Sequence, residues 1–320
     1  MRFLVVGAGA LGGYFGGRLL QAGQSVDFLV RPPRAAQLAT RGLVIRSPHG
    51  HLKLAAPTVL AGQIRREYDV VIVASKAYDL EQTLAAFAPA VGPHTAILPL
   101  QNGLRHLDLL GRRFGHARVL GGLAMISATL DGDGSIAHLG PDHELVFGEL
   151  DGERTPRVEA IARAFAQAGF DGRASDTILQ AMWEKWVFIT ALASVTALMR
   201  APIGDIVQAG AQELGLILLE ECSRIAAHNA HPPSPDSLAR ARDALTATGS
   251  QLSASMLKDV ERGAPSEADH IVGDFLRRGR WSTADTVLLP VAYAQLRSYE
   301  ARRLRGALEA CDASPQRLAA

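Results

Sequence analysis

Phe3-Leu4-Val5-Val6-Gly7-Ala8-Gly9-Ala10-Leu11-Gly12 is one strand's worth of apolar residues running straight into a glycine-rich turn, and its reading decides the fold. Gly7 lets the strand turn tightly, Gly9 lets backbone N–H groups approach a pyrophosphate, and Gly12 lets the next helix pack close to the strand. The anion then lies on the positive end of that helix. Gly7, Gly9, Ala10, Leu11 and Gly12 are therefore the expected cofactor-binding residues of this turn. A bare G-x-G-x-x-G arises by chance in a chain with 31 glycines, so context carries the weight. Leu11 to Gln21 reads as a helix with Leu11, Phe15, Leu19 and Leu20 apolar, stopped at Gly23. Ser25 to Val30 then reads as a second strand, completing a βαβ opening.

The end of the second strand is where such folds discriminate between the two nicotinamide dinucleotides, because the adenosine ribose lies there. Here Arg31-Pro32-Pro33-Arg34 offers two guanidinium groups suited to a 2′-phosphate. Asp27, the competing acid, lies inside the strand instead of beyond its end. The expected cofactor is NADP(H), with Arg31 as the main discriminator.

Further βα steps follow. Tyr68 to Ala74 is a buried-strand run ending at Ser75-Lys76, and Leu80 to Phe87 reads as its helix. Thr95 to Leu100 repeats the pattern and ends at Gln101-Asn102-Gly103. Lys76 and Asn102 thus emerge at strand C-termini, the edge where open parallel sheets bind ligands, and are expected to face the cofactor. Val119–Ala128, Gly134–Leu139 and Glu144–Phe147 read as shorter strands of an antiparallel extension, the last two parted by Gly140-Pro141-Asp142. Arg157 to Ala168 reads as a helix. Beyond Ala174 helical patterning takes over, over Ile178–Met199, Ala211–Asn229, Leu238–Thr246, Ser266–Arg277 and Asp285–Leu304, with His231-Pro232-Pro233-Ser234-Pro235 as a loop. The expected architecture is α/β: an N-terminal Rossmann-type doubly wound sheet over residues 1–174 and an all-helical domain over 175–320.

The 33 basic and 32 acidic residues leave a formal charge of +1, and no run of like charges suggests a nucleic-acid or anionic-membrane partner. His49/His51 and His228/His231 lack ligand company at metal spacing and read as solvated loop histidines. Cys222 and Cys311 are far apart and form no C-x-x-C, which fits a reducing cytoplasm. No stretch approaches a membrane span. The apolar final helical region is compatible with a homodimer, and equally with closure of the domain core.

In Ala181-Met182-Trp183-Glu184-Lys185-Trp186-Val187-Phe188-Ile189-Thr190 one lysine sits between two tryptophans on an otherwise apolar helix. A desolvated lysine has a lowered pKa, as a proton donor near neutral pH requires, whereas an outward-pointing lysine would merely cover aromatic faces. Ser266 reads as an N-cap for a helix whose first turn carries Glu267 and Asp269.

Together these segments resemble the ketopantoate reductase family, the 2-dehydropantoate 2-reductases, along essentially the whole chain. The resemblance rests on Gly7–Gly12, Val73-Ala74-Ser75-Lys76-Ala77, Leu100-Gln101-Asn102-Gly103, Trp183-Glu184-Lys185, and Ser255-Met256-Leu257-Lys258-Asp259 with Ser266-Glu267-Ala268-Asp269. It implies NADPH reducing a small-molecule 2-oxo acid between the two domains. It further implies that Lys185 protonates the carbonyl oxygen, Asn102 bridges cofactor and substrate, Glu267 binds a substrate hydroxyl or holds Lys185, and Ser255 contacts the carboxylate.

One departure bears on the substrate. The family's lysine helix carries asparagines four and eight residues after the lysine, on one stripe facing the substrate, and this chain has Ile189 and Ala193 there. Thr190 and Ser194 lie one residue further on, roughly 100° around the helix, and would compensate only if the helix were rotated. The expected substrate is either ketopantoate held differently or, by preference, a less polar 2-oxo acid or ketone. Two other readings compete: a related NAD(P)-dependent hydroxyacid dehydrogenase running the opposite way, and a non-catalytic NADP(H)-sensing protein whose substrate pocket has decayed.

Overall fold

Strand β1 (Arg2–Val6) and helix α1 (Ala10–Gln21) form where the opening motif places them, followed by β2 (Ser25–Leu29) and α2 (Pro32–Arg41). The computed structural model describes residues 1–279 and 286–312, the last five by their backbone alone. The chain forms two units, Met1–Met182 and Trp183–Ala320.

The first unit continues with β3 (Leu43–Arg46), β4 (Leu52–Leu54), β5 (Thr58–Val59), β6 (Val70–Val73), α3 (Leu80–Phe87), β7 (Ala96–Pro99) and α4 (Arg105–Phe114). It closes with β8 (Leu120–Leu130), β9 (Ile136–Glu149), α5 (Pro156–Ala166) and β10 (Asp171–Ala174). One sheet is parallel, in the order β5-β2-β1-β6-β7, with Phe3 opposite both Val26 and Val70. Its central strands read as unbroken apolar runs because both faces are covered: Phe3, Leu4, Val5 and Val70 through Val73 are fully buried.

A second sheet, β10-β9-β3-β4 with β8 paired to β9, lies on the far side of α1. Its β8–β9 ladder is antiparallel, as expected of the extension, while β9 runs parallel to β3 and β10. The two strands expected on either side of Gly140-Pro141-Asp142 are one strand. The register jumps from Ile126 opposite His143 to Ala128 opposite His138, so the proline sits in a bulge, where a missing N–H breaks no ladder bond.

Helix α1 is pinched between the sheets, and its glycines face both ways. A side chain at Gly16 would come 2.7 Å from the ring of Phe28 and 2.9 Å from Val5, on the parallel sheet. One at Gly17 would come 2.8 Å from both Ile45 and Leu43, on the other sheet. Gly12 and Gly13 repeat this pairing one turn earlier, against Val5 and Ile136 respectively. Another face carries Tyr14 and Arg18, both buried, and a further stripe carries the core residues Phe15 and Leu19. The Arg18 guanidinium donates to the carbonyls of Gly50 (2.8 Å) and His49 (3.3 Å).

His49 and His51 are exposed in the turn between β3 and β4, as expected of solvated loop residues, but their rings are engaged. The His49 ring stacks on His143 with centroids 3.7 Å apart and, at 5.7 Å, on His138. The Tyr14 hydroxyl bonds His143 Nδ1 at 2.8 Å, Ser47 bonds His138 Nδ1 at 2.9 Å, and His51 Nδ1 accepts from the Ser47 N–H. Burial, then the charges of His49, His138 and Arg18 against an opposing pull from Asp171, lowers the His143 pKa from its usual 6.5. A group whose folded pKa is depressed binds fewer protons folded than unfolded, so stability is present above the unfolded value and lost as pH falls.

The second unit consists of helices and their connections, with no strand among its described residues. Helix α6 (Ile178–Met199) carries the chain into it, followed by α7 (Ile203–Gln208), α8 (Gln212–His228), α9 (Pro235–Leu245) and α10 (Ser255–Glu261). A π-helical segment, Asp269–Gly273, then runs into α11 (Asp274–Arg278), and α12 (Leu288–Asp312) ends the described chain. The helix expected from Ser266 therefore starts later and with a different hydrogen-bond ladder. Asp285, the expected start of the last helix, lies outside the described residues, as does the Cys311 side chain. Ser234 caps α9 and Pro235 is its first residue, so the expected loop already contains a helix start. No described helix is long and apolar enough to cross a membrane.

The buried Glu221 carboxylate of α8 holds the start of α12. One oxygen accepts from the N–H groups of Val287 (2.7 Å) and Leu288 (2.9 Å), the other from Leu289 (2.8 Å). A helix start leaves its first N–H groups without intrahelical partners, and this carboxylate satisfies them from another element. Glu221→Ala is expected to lower the unfolding free energy by about 2–3 kcal/mol in urea denaturation. In the same assay, stability should fall as pH is lowered from about 6.5, and His143→Gln should flatten that slope.

Candidate active site

In the first unit, the residues singled out by the sequence collect along one edge of the parallel sheet. Gly7 leaves the end of β1 with φ +96°, a conformation that favours glycine, and its N–H donates to Leu29 O at the end of β2 (3.0 Å). A side chain at Gly12 would run into Gly7 O and sit 2.9 Å from Ala74 Cβ, so helix and turn require a bare backbone there. Gly9 caps α1 with no side-chain hydrogen bond, and a Cβ at Gly9 would meet nothing within 4 Å. The amides that open α1, at Ala10 and Leu11, thus stand behind open space. That cradle fits the pyrophosphate of a dinucleotide.

The neighbouring strand ends complete this edge. Beyond β6 come Ser75 and Lys76, the latter exposed, and beyond β7 come Gln101 and half-buried Asn102, ahead of Gly103 at φ +81°. The Gln101 amide donates to Ser75 O at 3.0 Å, tying the two strand ends together. Lys76 caps the short helical turn Ala77–Asp79 that leads into α3.

The two arginines after β2 have different surroundings. Arg34 donates to Ala8 O (3.0 Å) and to Gly134 O (2.8 Å), bracing the glycine turn against the β8–β9 connection. Burial lowers its pKa. Arg31 precedes α2, is exposed, and donates to the Asp79 carboxylate at 2.7 Å and to Gln82 at 3.4 Å. Asp27 faces elsewhere, accepting from the Tyr68 hydroxyl (2.7 Å) and from Arg66. Sequence reasoning singled out Arg31 but gave no sign of its partner Asp79, which comes from the turn before α3.

In the second unit, Lys185 lies on α6 and is half-buried. Burial of its ammonium draws the pKa from 10.5 down to about 8. The helix is held on either side of it. The Trp186 indole, fully buried, donates to Ile271 O in the π-helical segment (3.1 Å) and meets the Phe275 ring edge-on, centroids 4.5 Å apart. The Glu184 carboxylate accepts from the Ser234 N–H at 2.9 Å. Arg278, paired with Asp274 at 3.0 Å, lies over both indole rings. His231 stacks on Trp183 with centroids 5.3 Å apart.

Lys185, Ile189 and Ala193 lie on one stripe of α6 by their spacing of four residues, with Ile189 half-buried and Ala193 buried. Thr190 and Ser194 are fully buried on the Trp186 side of that stripe, and neither hydroxyl has a hydrogen-bond partner. Glu267 is half-buried and stands at the head of the π-helical segment, its carbonyl accepting from Ile271 N at 2.9 Å. The same short stretch thus takes the Trp186 indole and carries Glu267. Such π turns recur at functional sites. Ser255 opens α10 and is exposed.

A lysine held with a lowered pKa is strained by its own desolvation. Its folded pKa of about 8 lies below the unfolded 10.5, so its cost to stability is complete below about pH 8 and fades by 10.5. Lys185→Met is expected to raise unfolding free energy at pH 7 by on the order of 1–2 kcal/mol, allowing for partial exposure. In chemical denaturation that gain should shrink between pH 8 and 10.5.

Residues 3–152 match the family model for ketopantoate reductase PanE/ApbA, and residues 177–300 match that for its C-terminal domain. An uncharacterised oxidoreductase of Bacillus subtilis (strain 168), YkpB, is 37% identical over 305 residues, 95% of this chain and 100% of the relative. A 2-dehydropantoate 2-reductase of Archaeoglobus fulgidus is 28% identical over 87% of this chain and 90% of its own. Among solved structures, 2-dehydropantoate 2-reductase from Geobacter metallireducens GS-15 superposes with a TM-score of 0.83 at 30% identity, covering 93% of this chain and 99% of that one.

Proposed function

The chain belongs to the ketopantoate reductase PanE/ApbA family, and we propose that it reduces a 2-oxo acid to the 2-hydroxy acid with NADPH, Lys185 supplying the proton. It is an oxidoreductase of the CH–OH/C=O class. The observation that carries the proposal is the half-buried lysine with a pKa near 8, on a helix bolted through Trp186 to the segment behind Glu267.

The amides of Ala10 and Leu11 and the bare backbone of Gly7, Gly9 and Gly12 would hold the pyrophosphate, and Arg31 a 2′-phosphate, with Lys76 and Asn102 on the same strand edge. When bound, the reduced nicotinamide supplies a hydride to the substrate's carbonyl carbon. Lys185 Nζ gives a proton to the carbonyl oxygen and is left as a neutral amine, which solvent reprotonates. A donor with a pKa near 8 is largely charged at neutral pH yet parts with its proton more readily than an ordinary lysine. Above that pH the neutral amine serves as base, so the same site favours oxidation of the 2-hydroxy acid.

Glu267 binds a substrate hydroxyl or holds Lys185, and Ser255 takes the carboxylate. Ile189 and Ala193 present no hydrogen-bonding group to the substrate, which favours a less polar 2-oxo acid than ketopantoate. The protein acts on a small molecule, in the cytoplasm.

NADPH oxidation should be followed against ketopantoate, its analogue lacking the hydroxyl, and other 2-oxo acids. The analogue is expected to have the higher kcat/KM, kcat for reduction should fall above about pH 8, and Lys185→Ala should lower kcat by about 10²–10⁴. Absence of turnover with every compound, alongside intact NADPH binding, would favour a dinucleotide sensor instead.

A further inference from the structure

The two nicotinamide dinucleotides differ only in a 2′-hydroxyl or 2′-phosphate on the adenosine ribose, read beyond the end of β2. Arg31 stands there with its side chain 66% exposed, and its partner, Asp79, is only 30% exposed. The pairing joins separate loops: Arg31 precedes α2, and Asp79 precedes α3, three residues after Lys76. Gln82, on the first turn of α3, adds a weaker contact to the same guanidinium nitrogen at 3.4 Å.

The two partners are not equally held. Asp79 is fixed by its backbone, its N–H donating to Lys76 O at 3.0 Å and its carbonyl accepting from the Thr83 hydroxyl at 2.7 Å. Arg31 is a long side chain in an exposed ion pair, which is weak in water, so its guanidinium can turn toward a phosphate while the carboxylate stays behind. Asp27, the other acid near this edge, is taken by Tyr68 and Arg66. Asp79 is therefore the acid that a ribose substituent beside Arg31 would meet.

We propose that Asp79 is a specificity-determining residue, which offsets Arg31 and keeps NADPH and NADH closer in affinity than the arginine alone would. A phosphate drawn to Arg31 is repelled by the carboxylate 2.7 Å from that guanidinium, whereas a free hydroxyl finds an acceptor there. The inference rests on the reading of Arg31 as the phosphate-binding residue. It adds that the neighbouring loop opposes it.

Isothermal titration calorimetry with NADPH, NADH, 2′,5′-ADP and 5′-AMP at two salt concentrations tests this without turnover. Asp79→Asn is expected to tighten NADPH and 2′,5′-ADP by about tenfold, a change of about 1.4 kcal/mol, and to leave NADH and 5′-AMP unchanged or weaker. Asp79→Glu, which keeps the charge, should retain the native ratio, and matching thermal unfolding would show that the variants fold. An unchanged NADPH-to-NADH ratio in Asp79→Asn, or weaker NADPH binding, overturns the inference. If Arg31→Ala shifts that ratio and Asp79→Asn does not, the arginine reading stands and the inference alone fails. If neither shifts it, both fail.

Discussion

The close approach of α1 to two sheets at once is the constraint on which the rest of the N-terminal unit depends. Gly12 and Gly16 face the parallel sheet and Gly13 and Gly17 the second one, so the helix carries no side chain at these four points of closest approach. That approach places the start of α1 directly behind the turn at Gly7, where its unsatisfied amides and positive end form the anion cradle. A methyl group at Gly16 or Gly17 would meet Phe28 or Leu43 and lift the helix from one sheet or the other. Tyr14 and Arg18, on another face, lock the helix to the histidine stack and the β3–β4 turn.

The helical unit rests on an analogous device with different chemistry. Trp186 is fully buried, and its indole N–H donates to the carbonyl of Ile271. One bond thereby sets the rotation of α6 and ties it to the segment that carries Glu267. The desolvation that lowers the Lys185 pKa follows from the same apolar packing. Thr190 and Ser194, on the stripe that carries Trp186, are fully buried.

Much of this was legible from residues alone. The central strands β1, β2, β6 and β7 showed themselves as short apolar runs ending in polar turns, and α3 and α6 showed themselves by composition and length. Other elements were present in the sequence and misread. Ser234-Pro235 reads as part of a loop but is a helix start, and Pro32-Pro33 opens α2, a helix that the sequence reading leaves unassigned, since proline fits the first turn of a helix. Gly140-Pro141-Asp142 looks like a turn between strands but lies in a bulge within one. Strands β3, β4 and β5 are too short to rise above background, β5 having two residues.

The sequence by itself determined the fold class, the glycine cradle, the strand-edge positions of Lys76 and Asn102, and the lysine between two tryptophans. These are local features: each is written in consecutive residues whose spacing matches one turn, strand or helix stripe. Only the tertiary structure decided what those residues meet. The Arg31–Asp79 pair spans 48 positions and the Trp186–Ile271 bond 85, and the three histidines of the stack come from one strand and a distant turn. No periodicity reports such encounters, because they depend on how elements pack and not on how any one of them forms.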